Sequence, residues 1–260
     1  MPTEEDSYLV ALEDIIKSAG SWRRFGAKAT NLSKCLSMGV PVPNALAVDV
    51  KILKLIEAGR FDTTKSIFEK QLVPWLLSID GLITIRSSEL ISPELAETVS
   101  GHFQTIRHQS AVSLEILEAL HKLTEQTANN PKQRSDVSST VLFQKEIQPS
   151  LSGYSRMSRK EGVNSWIIQG DLAPLMSGEA HGEFVKIPAA IETDDWDEFW
   201  CEEEGLLLVE RVSFASYVPQ MSSSFTSLFL AFGDCSVEWC IDDDQLWILQ
   251  VQPTDFAEIS

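Results

Sequence analysis

Leu9, Leu12, Ile15 and Ile16 recur at helical spacing, so Tyr8 to Ala19 is expected as a helix that Gly20-Ser21 ends. A second stripe, Ala29, Leu32 and Leu36, places a helix over Ala27 to Met38, stopped by Gly39. Val40-Pro41-Val42-Pro43 then runs extended, because each proline pushes the residue before it out of the α region. Leu46 to Val50 reads as a short strand, followed by helices at about Val50 to Ala58 and Thr63 to Leu77. Leu82-Ile83-Thr84-Ile85-Arg86-Ser87-Ser88 reads as a buried strand entering a polar loop, and Ser113 to Thr127 as an amphipathic helix. The polar, turn-rich stretch Asn129 to Ser139 has the composition of a linker. Beyond it the pattern turns to strands, at Thr140 to Ile147, Ser165 to Gln169, Glu183 to Ile187 and Leu206 to Val212. A helix at about Phe214 to Phe232 follows. The closing hairpin, Ser236 to Gln252, has two apolar runs flanking Asp242 to Asp244. A helix-rich first half and a strand-rich second half predict an α+β protein. Its lobes are residues 1–130 and 140–260, joined by 129–139.

Composition narrows the function classes. The 260 residues are 43% hydrophobic, enough for a sizeable core. Against 21 Lys and Arg stand 38 Asp and Glu, a net charge of −17. That balance excludes non-specific binding to nucleic acid or anionic membrane, which needs a basic footprint. A local basic pocket for one nucleotide remains compatible with it. Part of the acid lies in Glu192 to Glu204, where Trp196, Phe199 and Trp200 fall at helical spacing. This is read as an amphipathic helix with a solvated acidic face. Cys35, Cys201, Cys235 and Cys240 form no zinc spacing and are expected as buried free thiols in a reducing cytosol. The acidic N-terminus lacks the apolar core of a signal peptide, and no apolar run approaches the roughly 18 residues of a membrane span. A cytoplasmic protein is expected.

Three segments carry candidate chemistry. Gly26-Ala27-Lys28-Ala29 opens the second helix, where small residues let a ligand approach the backbone and the helix N-terminus favours phosphate. Lys28 adds a point charge there, or is a solvated first-turn lysine. Arg86, at the end of a buried strand, needs an anion or a paired carboxylate. Glu89, Glu94 and Glu97 are at hand for the latter; Ser87, Ser88 and Ser100-Gly101 supply donors for the former. Glu238 and Gln250 lie on opposite strands of the closing hairpin, as ordinary hairpin positions or as a hard oxygen pair suited to Mg²⁺ carrying substrate phosphates. The four histidines are scattered, and no GxSxG, HExxH or Walker A segment occurs.

Taken in order, several segments resemble the nucleotide-binding domain of the phosphoenolpyruvate synthase, pyruvate phosphate dikinase and rifampin phosphotransferase group. They are Phe25 to Leu32, Gly39 to Pro43, Ile85-Arg86-Ser87-Ser88 with Gly101, Leu142 to Ile147 through Ser152-Gly153, Leu175 to Glu179, and Val237-Glu238-Trp239 with Ile248-Leu249-Gln250. Ser152-Gly153 is taken as the turn after the adenine-side strand. The resemblance implies an ATP-grasp-like fold with the nucleotide cleft between two lobes. It implies ATP and Mg²⁺ as cofactors, with Lys28 and Arg86 holding phosphates as the catalytic residues. Ser87, Ser88 and Gly101 would cover the phosphates, Gln144, Glu146 and Ile147 would line the adenine side, and Glu238 and Gln250 would ligate the metal. The function implied is an ATP- and Mg²⁺-dependent phosphotransferase. It would act on a small molecule or on a histidine of a separate phosphohistidine-domain chain, since no histidine here has a phospho-acceptor context. Two residues depart from the group: Gln252 stands where it usually has an arginine, and Ala173 where it has a glutamate. They point to a second reading, a non-catalytic nucleotide-binding or scaffold relative. A third is an ATP-grasp ligase working through an acyl phosphate.

Overall fold

The computed structural model describes residues 7–16, 20–79, 82–90, 106–108, 139–159, 162–187, 214 and 216–254. The expected helix at Ser113 to Thr127, the strand at Leu206 to Val212, the acidic segment Glu192 to Glu204 and Gly101 lie outside them. Two compact units emerge. The first is Met1–Ser37 with Pro43–Glu146, and the second is Met38–Val42 with Ile147–Ser260. The division thus falls at Glu146/Ile147 rather than in 129–139, because the strand through Lys145 pairs inside the first unit. No helix among the described residues is long and apolar enough to cross a membrane.

The first unit is built on a five-stranded antiparallel sheet. Its strands are β1 (Leu9–Ala11), β2 (Ala45–Val48), β3 (Ile83–Glu89), β4 (Ile106–His108) and β5 (Ser139–Lys145), in the order β1-β2-β5-β3-β4. The expected helix over Tyr8 to Ala19 is corrected. Residues 9–11 pair with Val48, Ala47 and Leu46 as β1, and among the described residues of that stretch Leu12–Ile15 alone is helical, as α1. Helix α2 (Trp22–Ser37) is broken at Gly26, whose φ of 79° and ψ of 168° are not helical, so it opens afresh at Ala27. A Cβ at Gly26 would lie 2.4 Å from the Ser88 carbonyl oxygen. Glycine is what lets α2 approach β3 there. Helices α3 (Val50–Glu57) and α4 (Phe61–Ser78) follow close to their expected bounds. Asp49 caps α3 by accepting from the Lys51 amide, and its other oxygen accepts from Arg24 Nε at 2.8 Å. The core gathers Leu46, Val48, Ile83, Ile85, Val141 and Phe143 from the sheet against Phe68, Leu72 and Leu76 of α4. Phe68 meets Phe143 edge to face at 6.3 Å.

The second unit carries β6 (Leu151–Ser158), β7 (Gly162–Gln169), β8 (Glu183–Ile187), β9 (Cys235–Asp242) and β10 (Gln245–Pro253), with helices α5 (Ala173–Ser177) and α6 (Val218–Phe232). Its antiparallel order is β10-β9-β6-β7-β8. Ser152-Gly153, expected as a turn, lies inside β6. Gly153 is there because the Trp239 ring packs where its side chain would be, 2.2 Å from an added Cβ. Trp239 is fully buried, touches the Phe225 ring of α6 at 6.5 Å, and donates its indole N–H to Ser155 Oγ at 2.8 Å. Ser155 in turn bonds Ser165 at 2.7 Å, so this buried polar group is satisfied. Asp243 and Asp244, at φ 47° and 62°, form the two-residue hairpin turn.

Candidate functional site

In the first unit, alternation along β3 and its register with β5 decide which side chains meet. Thr84, Arg86 and Ser88 share one face with Leu142 and Gln144, the face on which α2 packs. Arg86 is the one half-buried residue in a strand of otherwise buried ones. Its guanidinium donates to Gln144 Oε1 at 3.3 Å. Gln144 is 3% exposed, and its amide nitrogen has no acceptor among the described residues. An unmet buried donor costs about 1–3 kcal/mol until an acceptor reaches it. An arginine and an orphan amide on one face therefore fit a ligand rich in acceptors, as a nucleotide is.

The remaining sequence-predicted residues sort themselves on the same geometry. Lys28 sits half-buried in the first turn after the Gly26 break. Ser88 is fully buried and its hydroxyl accepts the Ala29 amide at 3.1 Å, tying α2 to β3. Ser87 faces the other way, beside Val141 on the α4 side, and is not brought together with Arg86. Glu146 is half-buried just past β5, its amide donating to the Leu82 carbonyl. Ile147 is half-buried where the chain passes into the second unit.

In the second unit, Glu238 and Gln250 are direct cross-strand partners. The pairing exists because of a bulge: Ile248 opposes Trp239 and Gln250 opposes Glu238, so Leu249 is the extra residue. With an unbroken ladder Leu249 would face Glu238, and Gln250 would turn to the opposite side. Among the described residues no group of three or more His, Cys, Asp or Glu could hold a metal. One carboxylate and one amide oxygen do not suit zinc, but they suit Mg²⁺, which keeps waters and substrate phosphates as further ligands. Gln252, two residues on, is 7% exposed, and its amide nitrogen has no acceptor among the described residues.

Sequence reasoning missed β6 and what it organises. Tyr154 and Arg156 alternate with buried Gly153, Ser155 and Met157, and Arg156 lies over the rings of Tyr154 and Trp166. The alternation was the available signal. Reading Ser152-Gly153 as a turn cut it in two.

No family model matches this chain, and no curated protein matches it. Solved structures do. PH1788 from Pyrococcus horikoshii Ot3 is 10% identical, with 93% of this chain and 94% of that one covered and a TM-score of 0.52. D-alanine-D-alanine ligase from Helicobacter pylori is 12% identical over 90% of this chain and 54% of its own, at 0.46. ATP citrate lyase from Methanothrix soehngenii is 13% identical over 75% and 42%, at 0.41. The chain thus spans about half the length of the ligase it matches. These are likenesses of fold. The α+β class holds, with two antiparallel sheets, one in each unit. None of the likenesses selects the phosphoenolpyruvate synthase group.

Proposed function

We propose that this chain binds ATP with Mg²⁺ and uses it to activate a carboxylate, in the manner of an ATP-grasp ligase. The observation that carries the reading is the bulged pairing of Glu238 with Gln250, which sets a carboxylate beside an amide, a pair whose oxygens would suit Mg²⁺. Lys28 and Arg86 would hold phosphates, and Gln144, Glu146 and Ile147 would line the base. Magnesium held by Glu238 and Gln250 would neutralise charge on the phosphate oxygens. An acceptor carboxylate oxygen would attack the γ-phosphorus, the bond to the β-phosphate oxygen would break, and ADP would leave. The acyl phosphate would then yield to a nucleophile, releasing phosphate. All of this is positioning and electrostatics, with no covalent enzyme intermediate. One observation favours a second reading. Gln252 is buried and uncharged on the same strand as Gln250, as a non-catalytic nucleotide-binding relative would have it.

Isothermal titration of ATP with and without Mg²⁺ is the first test. ATP affinity is expected to rise with Mg²⁺, and Glu238→Ala to remove that rise, about tenfold or more. ATP binding indifferent to Mg²⁺ would overturn the assignment. Product analysis then separates the chemistries. ADP with a hydroxylamine-trappable acyl phosphate marks the ligase. AMP marks the dikinase-like phosphotransferase, whose acceptor would be a small molecule or a partner chain's histidine. No turnover with intact binding marks the non-catalytic relative.

A further inference from the structure

The second sheet buries one face beneath α6, and the other face carries a feature the nucleotide chemistry leaves unused. Register fixes a row across it: Gln250 opposite Glu238, Glu238 opposite Tyr154, Tyr154 opposite Trp166, and Trp166 opposite Phe184. Directly opposed residues share a face. The three rings are in sequence contact, with Tyr154 and Trp166 centroids 6.1 Å apart and Trp166 and Phe184 5.5 Å apart. Arg156, Asn164 and Lys186 form the neighbouring row on the same face. The Arg156 guanidinium lies 5.9 Å from the Tyr154 ring centre and 6.0 Å from that of Trp166.

These rings do not belong to the core. The buried positions of β7 and β8 are Val163, Ser165, Ile167, Val185 and Ile187, which alternate with them. Phe184 is 42% exposed. Arg156 and Lys186 are exposed, and neither takes part in the ion pairs Arg24–Asp49 and Lys65–Glu69. A chain of net charge −17 thus places beside three continuous rings two cations that no salt bridge among the described residues pairs with a carboxylate. Cation–π contact accounts for Arg156. It accounts neither for Lys186 nor for an exposed phenylalanine at the end of the row.

We infer that this face is the acceptor subsite and takes a planar aromatic carboxylate. The inference rests on the proposed ATP-dependent activation of a carboxylate. The ring would stack on Trp166 and Phe184, and the anion would meet Arg156 and Lys186. Strands are spaced by about 4.8 Å, so an anion held at Tyr154 and Arg156 stands about 5 Å from Glu238. The charge complements the anion, the rings complement its body, and the row runs without interruption into the metal pair.

The test uses the full chain and 2-naphthoate as probe, with neutral 2-naphthylmethanol and non-aromatic cyclohexanecarboxylate as controls. Saturable binding of 2-naphthoate is expected by calorimetry, about tenfold tighter than either control. Arg156→Gln should weaken 2-naphthoate about tenfold and leave 2-naphthylmethanol unchanged, whereas Phe184→Ala should weaken both. Both positions are exposed, and unchanged urea midpoints confirm that the variants fold. If 2-naphthoate binds no better than the controls, or neither substitution affects it, the inference is overturned. Mg²⁺-ATP titrated into the same variants keeps the two readings apart. If ATP affinity falls in step with 2-naphthoate, the face holds the nucleotide base and the acceptor assignment is overturned. If ATP fails to bind the unmodified chain while 2-naphthoate binds as described, the aromatic-anion site is upheld and the ATP reading falls.

Discussion

Gly26 and Gly153 show how single residues set this structure. Both stand where another group occupies the space of a Cβ, but only Gly26 also has a left-handed φ. In Gly26→Ala the new methyl meets the Ser88 backbone, which cannot swing aside as a flexible side chain would. Strain and clash together should lower stability by about 2–5 kcal/mol, read from urea unfolding. An unchanged midpoint would mean that α2 does not approach β3 as described. Cys235 gives a pH dependence. Burial, helped by nearby Asp234, pushes its thiol from 9.0 up to about 12. The native thiol keeps its proton where the unfolded chain has lost it, so stability falls as pH rises from about 9 towards 12. The slope should approach about 1.4 kcal/mol per pH unit. Urea midpoints at pH 8 and 10 should diverge less in Cys235→Ala than in the parent; an equal divergence would refute the assignment. At this scale the sequence was informative about which residues matter and poor on why. Gly26 was legible as a helix opening. Its contact with Ser88, 62 positions along, was not, because no local pattern records a distant backbone.

Among elements, the closing hairpin was the most readable. Its apolar runs and aspartate turn predicted two strands, and β9 and β10 have them, with Asp243 and Asp244 in the positive-φ geometry such a turn needs. Strand β8 falls on its expected bounds, Glu183 to Ile187. The bulge could not be read, because alternation alone does not reveal where one residue slips out of a ladder. Yet the bulge determines that Glu238 faces Gln250. Deleting Leu249 should restore an unbroken ladder, with Gln250 following Ile248 directly and still opposite Glu238. The variant is expected to keep the Mg²⁺ dependence of ATP binding that Glu238→Ala removes, by titration calorimetry. Lost dependence would show that the cross-strand pairing of the two residues is not sufficient for the metal. The N-terminus failed for the opposite reason. Leu9, Leu12 and Ile15 fit one helical stripe, but Leu9 is buried in a strand beside Val48, and the helix begins only at Leu12. Tertiary pairing overrode a periodicity shared by two short elements.

At the level of the whole chain, composition found the polar stretch 129–139 and took it for a boundary. The boundary instead follows hydrogen bonding, with β5 held in the first sheet by β2 and β3. Nor did composition indicate that Met38–Val42 belongs with the second unit. There the Pro41 carbonyl accepts the Ile248 amide at 2.9 Å, on the outer edge of strand β10. A fragment of residues 147–260 lacks that partner and leaves the edge bare. Exposed edges pair with one another, so the fragment should self-associate in sedimentation velocity, while one carrying residues 38–42 on a linker should not. A monomeric bare fragment would show that the extended segment does not protect the edge. The same segment bears on how the protein is made. Pro41 leaves the ribosome roughly two hundred residues before Ile248, which at about 5–20 residues per second is a wait of about 10–40 s. During translation, the first unit must close around a stretch of its own chain that it does not use.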